Sequence, residues 1–496
     1  MKKLSSYLSA FNGLNYGIPK HIDSLVNFFF DAYFAKIDDR NRIVGPPPWY
    51  PSDPHAHIRE LWLGCDLHTA LTLNQSYPVW SRALNAYAFS KLFHGSDATY
   101  RVIAFLDSYE FKSMLQGDYA YRIQSEQLSI SLTQNVTLPV FGKFFVEHIS
   151  TGKHLFVSLD LCYESMGCNI SVMSNPADQQ LTEQFFADMA TSLVANDIYY
   201  KKCLSFVRGR LDFMEVKPTT WDQIIIKPVL KAQIQDNTVS ILDSMDKFAS
   251  LGMVPNQNMI LISPPGMAKT TIFRAISNDI DGRITRVWCT GKSIDRSDDV
   301  TALFEAARSL APCIVIIEDM DLFGGDRSNR SFGQDNQVLN EFLACLDGAQ
   351  ENAGVVVMAS TNDIASMDEA LVNRPGRFDM KIEMPLPDAQ DRSDMLKRFL
   401  RGFHSGPDAS VSKDTWDTVI KMTDGLTGDY IKSLARAIVI RAVKDDCSSG
   451  QICTFTADHL NAAVEQVMKN FAIGNRAKKH HQFEANVSVA KSVSVN

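Results

Sequence analysis

Lys269 and Thr270 close a run whose residue types can hold a polyphosphate: Ser263-Pro264-Pro265-Gly266-Met267-Ala268-Lys269-Thr270-Thr271. The apolar stretch before it, 259–262, is predicted to be a strand, and the pattern after it, 272–277, a helix. Strand, tight loop, Lys-Thr and helix is the order that cradles phosphates. Loop N–H groups and the helix N-terminus face the anion, the lysine reaches the β and γ phosphates, and the threonine hydroxyl binds Mg2+. Against the pattern G-x-x-x-x-G-K-[ST], Ser263 and Ala268 replace both outer glycines. Alanine adds one methyl, which right-handed backbone tolerates. Gly266 keeps the middle of the turn. Residues 263–271 are the candidate nucleotide-binding residues, and Thr270 is also a candidate metal ligand.

Further on, the apolar run 313–317 ends in Glu318-Asp319-Met320-Asp321. Adjacent carboxylates at the C-terminal end of a buried strand lie where open parallel sheets bind ligands. One can hold a metal and its water while the other polarises the attacking water. We assign Glu318 to the metal and Asp319 to the water. The next run, 355–360, ends in Thr361-Asn362, an amide placed to orient that water. Beyond the last strand, Arg374 and Arg377 flank Pro375-Gly376 and can reach a neighbouring subunit's γ-phosphate. The chemistry these groups share is Mg2+-dependent hydrolysis of ATP.

Such groups need a frame that brings strand ends together. From about residue 216, short Val- and Ile-rich runs (259–262, 284–289, 313–317, 355–360) alternate with helical segments. One helix is capped by Ser297-Asp298-Asp299 and has Val300, Leu303, Phe304, Ala307 and Leu310 on one face. Buried strands with intervening helices mean a parallel sheet covered on both sides. After Pro385-Leu386-Pro387 the strands stop, and 388–472 holds about four helical segments. The expected organisation is an α/β fold with five segments. Residues 1–135 are mainly helical and 136–215 form a small α/β domain with strands near 144–149, 154–162 and 168–173. A nucleotide-binding parallel-sheet domain spans 216–387, a helical lid 388–472, and a flexible tail 473–496.

Residues 216–472 resemble the AAA ATPase module of the AAA+ superfamily, a P-loop NTPase fold with a C-terminal helical lid. The run Asn336-Gln337-Val338-Leu339-Asn340-Glu341-Phe342-Leu343-Ala344-Cys345-Leu346-Asp347-Gly348 resembles that family's helix before the sensor strand. By the same resemblance Asn362 falls on the sensor-1 asparagine, and Arg374 and Arg377 on the arginine-finger pair. Thr219-Thr220-Trp221-Asp222 is similar to the entry to the large subdomain, and Thr427-Gly428-Asp429 to the nucleotide-facing turn of the lid. The resemblance implies a homo-hexameric ring that remodels or moves a protein partner. Two departures stand out. The family writes Asp-Glu at the Walker B strand end, and this chain has Glu318-Asp319. That inversion resembles the AAA translocases that assemble mitochondrial complex III and their bacterial relatives. An alanine before the loop lysine is also similar to MoxR-type proteins. Where protein unfoldases carry a pore aromatic, this chain reads Thr290-Gly291-Lys292-Ser293-Ile294-Asp295.

Composition narrows the partner. The 496 residues carry 49 Lys and Arg against 57 Asp and Glu, a net charge of −8, which argues against broad nucleic-acid binding. The 9 cysteines are scattered, with no Cys-x-x-Cys, so a reducing compartment is expected. No apolar run approaches the ~18 residues of a transmembrane helix. The expected product is a cytoplasmic ATPase whose N-terminal region chooses a protein partner. The alternatives are a nucleotide-gated scaffold with little turnover and an AAA+ ATPase acting on nucleic acid. His55, His57, Cys65 and His68 have plausible zinc ligand types but no standard spacing, and are set aside. So are the extended 45–51 loop and the basic 476–481 run.

Overall fold

The computed structural model describes residues 59–60, 62–94, 98–105, 124–161, 168–322, 334–347, 351–364, 376–401, 411–446 and 455–472. The polyproline-like loop, the basic run, His55, His57 and Arg374 lie outside them. The chain divides into two units, 1–197 and 198–496.

The first unit is an antiparallel sheet with helices. Its strands are β1 (Leu71–Tyr77), β2 (Tyr100–Phe105), β3 (Gln124–Ser129), β4 (Asn135–His148), β5 (His154–Asp160) and β6 (Cys168–Ser174). They order as β1-β6-β5-β4-β2, with β3 also on β4. Successive residues of a strand point to opposite faces. Phe144 accordingly joins the core under helices α1 (Arg82–Lys91) and α2 (Gln179–Ala195), while Phe145 joins Leu63, Trp62 and Phe156 on the other side. Among the described residues, three strands precede residue 135. β3, Gln-Ser-Glu-Gln-Leu-Ser, is an almost wholly polar and exposed edge strand, so no apolar alternation announced it.

The second unit opens with a hairpin, β7 (Cys203–Val207) and β8 (Arg210–Phe213). Then follow α3 (Pro228–Asp236), β9 (Gln257–Ile262), α4 (Lys269–Asp279), β10 (Thr285–Thr290), α5 (Ser297–Ser309), β11 (Cys313–Glu318), α6 (Gln334–Leu346), β12 (Val355–Thr361) and β13 (Met380–Glu383). The sheet order is β13-β9-β12-β11-β10-β7-β8, parallel except for the hairpin. β7 pairs with β10 through Cys203↔Arg286 to Ser205↔Trp288. Residues 203–213 therefore extend the nucleotide-domain sheet and do not belong with 136–215. A short hairpin looks alike whichever sheet it joins, so local pattern could not place it. β11 and β12 are buried along their whole apolar length, as strands covered on both faces must be.

The lid comprises α7 (Ala389–Phe399), α8 (Lys413–Met422), α9 (Gly428–Asp446) and a helix over 457–472. Asp388 caps α7 in a reciprocal box with Asp391, and Ser412 caps α8. Leu396, Trp416, Val419, Leu434, Ile438, Leu460 and Val464 fill its core.

Candidate functional site

The phosphate loop is anchored at both ends. Ser263 N–H donates to the Thr361 carbonyl at 3.3 Å, tying the exit of β9 to the end of β12. At its far side the loop meets the lid, where Asp429 N–H donates to the Gly266 carbonyl at 3.1 Å. Gly266 has φ +84, and a Cβ there would lie 2.8 Å from Thr427 Oγ1 and 2.9 Å from Asp429 Cβ. No other residue fits between loop and lid. Ala268 caps α4 with φ 63 and ψ 21, in left-handed backbone. The right-handed backbone in which alanine is freely tolerated is therefore not the one found here. The loop adopts the shape that glycine would take here, and its alanine bears a steric cost of about 1–2 kcal/mol.

Lys269 is only 8% exposed, and its ammonium is held by oxygens. It donates to Ser263 O at 2.8 Å, Asn362 Oδ1 at 2.9 Å, Ser263 Oγ at 3.0 Å and Pro264 O at 3.3 Å. Burial pushes its pKa down, opposed by the carboxylates of Asp319 and Asp321.

The two carboxylates part company. The Thr270 hydroxyl donates to Glu318, whose Oε1 is buried and has no hydrogen-bond partner. Burial pushes the Glu318 pKa up, Thr270 pulls it down, Asp319 raises it and Arg274 lowers it. An orphaned carboxylate oxygen beside a threonine hydroxyl is a fitting donor set for Mg2+, an oxygen-seeking cation. Asp319 instead faces the sensor side. It accepts from Asn362 Nδ2 at 3.3 Å, and its own N–H donates to Ser360 Oγ at 3.3 Å. Its φ of 50 is left-handed, a region that aspartate visits more readily than most residues. Asn362 is itself fixed, with its N–H on Asp321 Oδ1 at 3.2 Å and the neighbouring Thr361 hydroxyl on the same oxygen at 3.3 Å. Asp321 and Ser360 therefore join the site as its supports. The signal available was only that Asp321 follows the carboxylate pair by two positions.

Residues 259–386 match the family described as ATPase family associated with various cellular activities (AAA). This stretch is an AAA ATPase domain. The chain is 29% identical over 242 residues to the ATP-dependent zinc metalloprotease YME1L1 of Mus musculus, covering 47% of this chain and 33% of that protein. It is 30% identical over 292 residues to ATP-dependent zinc metalloprotease FTSH 5, chloroplastic, of Arabidopsis thaliana, covering 56% and 40%. It is 34% identical over 241 residues to ATP-dependent zinc metalloprotease FtsH 3 of Sorangium cellulosum, covering 47% and 38%. The chain thus spans well under half the length of these relatives.

Two further AAA positions are held by contacts within this chain. Arg377 is 5% exposed and clasped in its own chain, Nε to Asp347 Oδ1 at 2.8 Å and Nη2 to Asp347 Oδ2 at 2.9 Å. The turn that carries it is fixed by Gly376 N–H donating to Asp379 at 2.8 Å. As it stands Arg377 points inward, and Asp347, not read as its partner, holds it. The loop after β10 is a compact turn. Thr290 and Ser293 cap one another, and the Asp299 carboxylate accepts from Asp295 and Arg296 N–H at 3.1 and 3.0 Å. Its aliphatic residue, Ile294, is fully buried, which leaves Lys292 exposed. The hairpin tip grips this loop: Arg208 N–H donates to Ser293 O at 3.1 Å, and its guanidinium to Asp295 at 2.8 Å. Trp288 is core, edge-on to Phe273 at 6.3 Å.

Proposed function

We propose that this chain is a Mg2+-ATP-dependent AAA motor that acts as a homo-hexameric ring on a protein partner chosen by its N-terminal region. The observation that carries the reading is the split of the carboxylates, Glu318 toward Thr270 and Asp319 toward Asn362. Thr270 and Glu318 would hold Mg2+, which supplies charge neutralisation on the phosphates. Lys269 takes the β and γ phosphates, and the loop N–H groups of 263–271 line them. Asp319 polarises the attacking water and accepts its proton, while Asn362 orients that water. We assign Arg374 and Arg377 to a neighbouring subunit's γ-phosphate, and for Arg377 this requires release from Asp347.

The named relatives are ATP-dependent proteins, and the proposal takes over that part of their description. It does not take over the protease part, because the family match falls on 259–386 and the chain covers 33%, 40% and 38% of those three proteins. No described helix is long and apolar enough to cross a membrane. The reading is tested by titrating the full chain with a fluorescent ATP analogue and following phosphate release. Wild type should bind and turn over ATP, and Lys269→Ala should lose binding. Undiminished affinity in folded Lys269→Ala would sink the phosphate-loop assignment. Binding without phosphate release would favour a nucleotide-gated scaffold.

A further inference from the structure

Ser263 is the residue that stands where the phosphate-loop pattern writes its first glycine, and it is 3% exposed. Its hydroxyl sits between two partners. The proton goes to the Pro264 carbonyl at 3.2 Å, which turns the oxygen lone pairs toward Lys269 Nζ at 3.0 Å. An ammonium has three N–H donors. Four oxygens surround this one: Ser263 O, Ser263 Oγ, Pro264 O and Asn362 Oδ1. Oxygens of the protein itself are therefore enough to saturate the donors. A glycine at 263 would leave three oxygens for three hydrogens, and Asn362 would supply the one side-chain acceptor. Incoming phosphate oxygens need these same hydrogens, so each loop oxygen that holds one competes with ATP. The backbone oxygens of such a loop come with its fold. The hydroxyl is an addition of this sequence.

We infer that Ser263 is a positioning residue: its hydroxyl competes with phosphate oxygens for the Lys269 ammonium and sets ATP affinity below what a side chain without that oxygen would give. The inference rests on the nucleotide-binding reading above and adds what tunes it. This oxygen is one of four competing for three hydrogens, so giving up its bond on binding subtracts only part of the strength of a full bond to a charged donor, about a 5- to 10-fold effect.

The test is equilibrium titration of the full chain with a fluorescent ATP analogue, comparing wild type, Ser263→Ala, Ser263→Thr and Lys269→Ala. Ser263→Ala should bind about 5-fold more tightly. Ser263→Thr, which returns a hydroxyl, should bring affinity back toward wild type. The sign is the discriminating readout, since a hydroxyl that merely supports the loop's shape would give weaker binding on removal. Unchanged or weaker binding in folded Ser263→Ala, with Lys269→Ala still unable to bind, overturns the inference and leaves the nucleotide reading standing. Failure of wild type to bind at all removes both.

Discussion

Replacing Ala268 by glycine tests the handedness of the phosphate loop through the sign of a stability change. In left-handed backbone, φ 63 and ψ 21, an alanine Cβ crowds the following carbonyl at a cost of about 1–2 kcal/mol. Glycine removes that cost but frees the unfolded chain, which costs about 0.5–1 kcal/mol. The balance favours Ala268→Gly by about 0.5–1 kcal/mol. Were the residue right-handed, the first contribution would vanish and the same change would destabilise by about 0.5–1 kcal/mol. The two geometries thus differ in sign and by ~1–2 kcal/mol, well outside the error of a good denaturation curve. The assay is urea unfolding of the full chain, followed by tryptophan fluorescence, with Trp221, Trp288 and Trp416 in the second unit and Trp49, Trp62 and Trp80 in the first. A midpoint shifted upward with an unchanged slope is the expected result. A downward shift of comparable size would refute the left-handed assignment, and with it the view that this loop keeps the glycine shape despite its alanine.

Other substitutions separate the remaining roles. Asp319→Asn should keep ATP bound and slow turnover by about 10²-fold, whereas Glu318→Gln should raise the Mg2+ requirement; normal hydrolysis by Asp319→Asn with a dead Glu318→Gln would reverse the two assignments. Arg377→Ala should lower stability by about 1 kcal/mol as well as slow hydrolysis, because it breaks a bidentate pair whose Asp347 side is half-exposed, and a variant as stable as wild type would count against that pair. Arg374→Ala should bind ATP and hydrolyse it poorly, with activity partly restored on mixing with Lys269→Ala chains; no rescue in rings shown to exchange subunits would place the arginine's action within one chain. A green-fluorescent reporter fused to the partner should keep its fluorescence during ATP turnover, because the loop after β10 buries Ile294 and shows only Lys292; ATP-driven loss without a helper would show threading.

Sequence pattern carried the reading furthest where local rules suffice. β11 and β12 are contiguous apolar runs because both their faces are covered, so pattern and burial say the same thing. Val300, Leu303, Phe304, Ala307 and Leu310 are all buried, as the helical spacing of α5 requires. The loop and both carboxylates sit at strand ends, where a linear motif and its place in the fold coincide. Long-range contacts hid the rest. β13 has four residues with one, Ile382, buried, too few for a pattern. The left-handed turns at 268 and 319 carry no signal in an alanine and only a weak one in an aspartate. The inward turn of Arg377 is set by Asp347, thirty positions away.

The hairpin β7–β8 decides where an excised AAA module must begin. A cut at 216, where the composition changes, would delete the strand that covers β10 through Cys203 to Ser205. The newly bared edge would run Thr-Arg-Val-Trp-Cys-Thr with its backbone N–H and C=O groups unpaired, a template for a second copy to add onto. Leu204 and Phe206 would also vanish from the interior. A fragment starting at 198 keeps the edge closed and should stay monodisperse where the shorter one precipitates, a difference that light scattering of the two preparations would register.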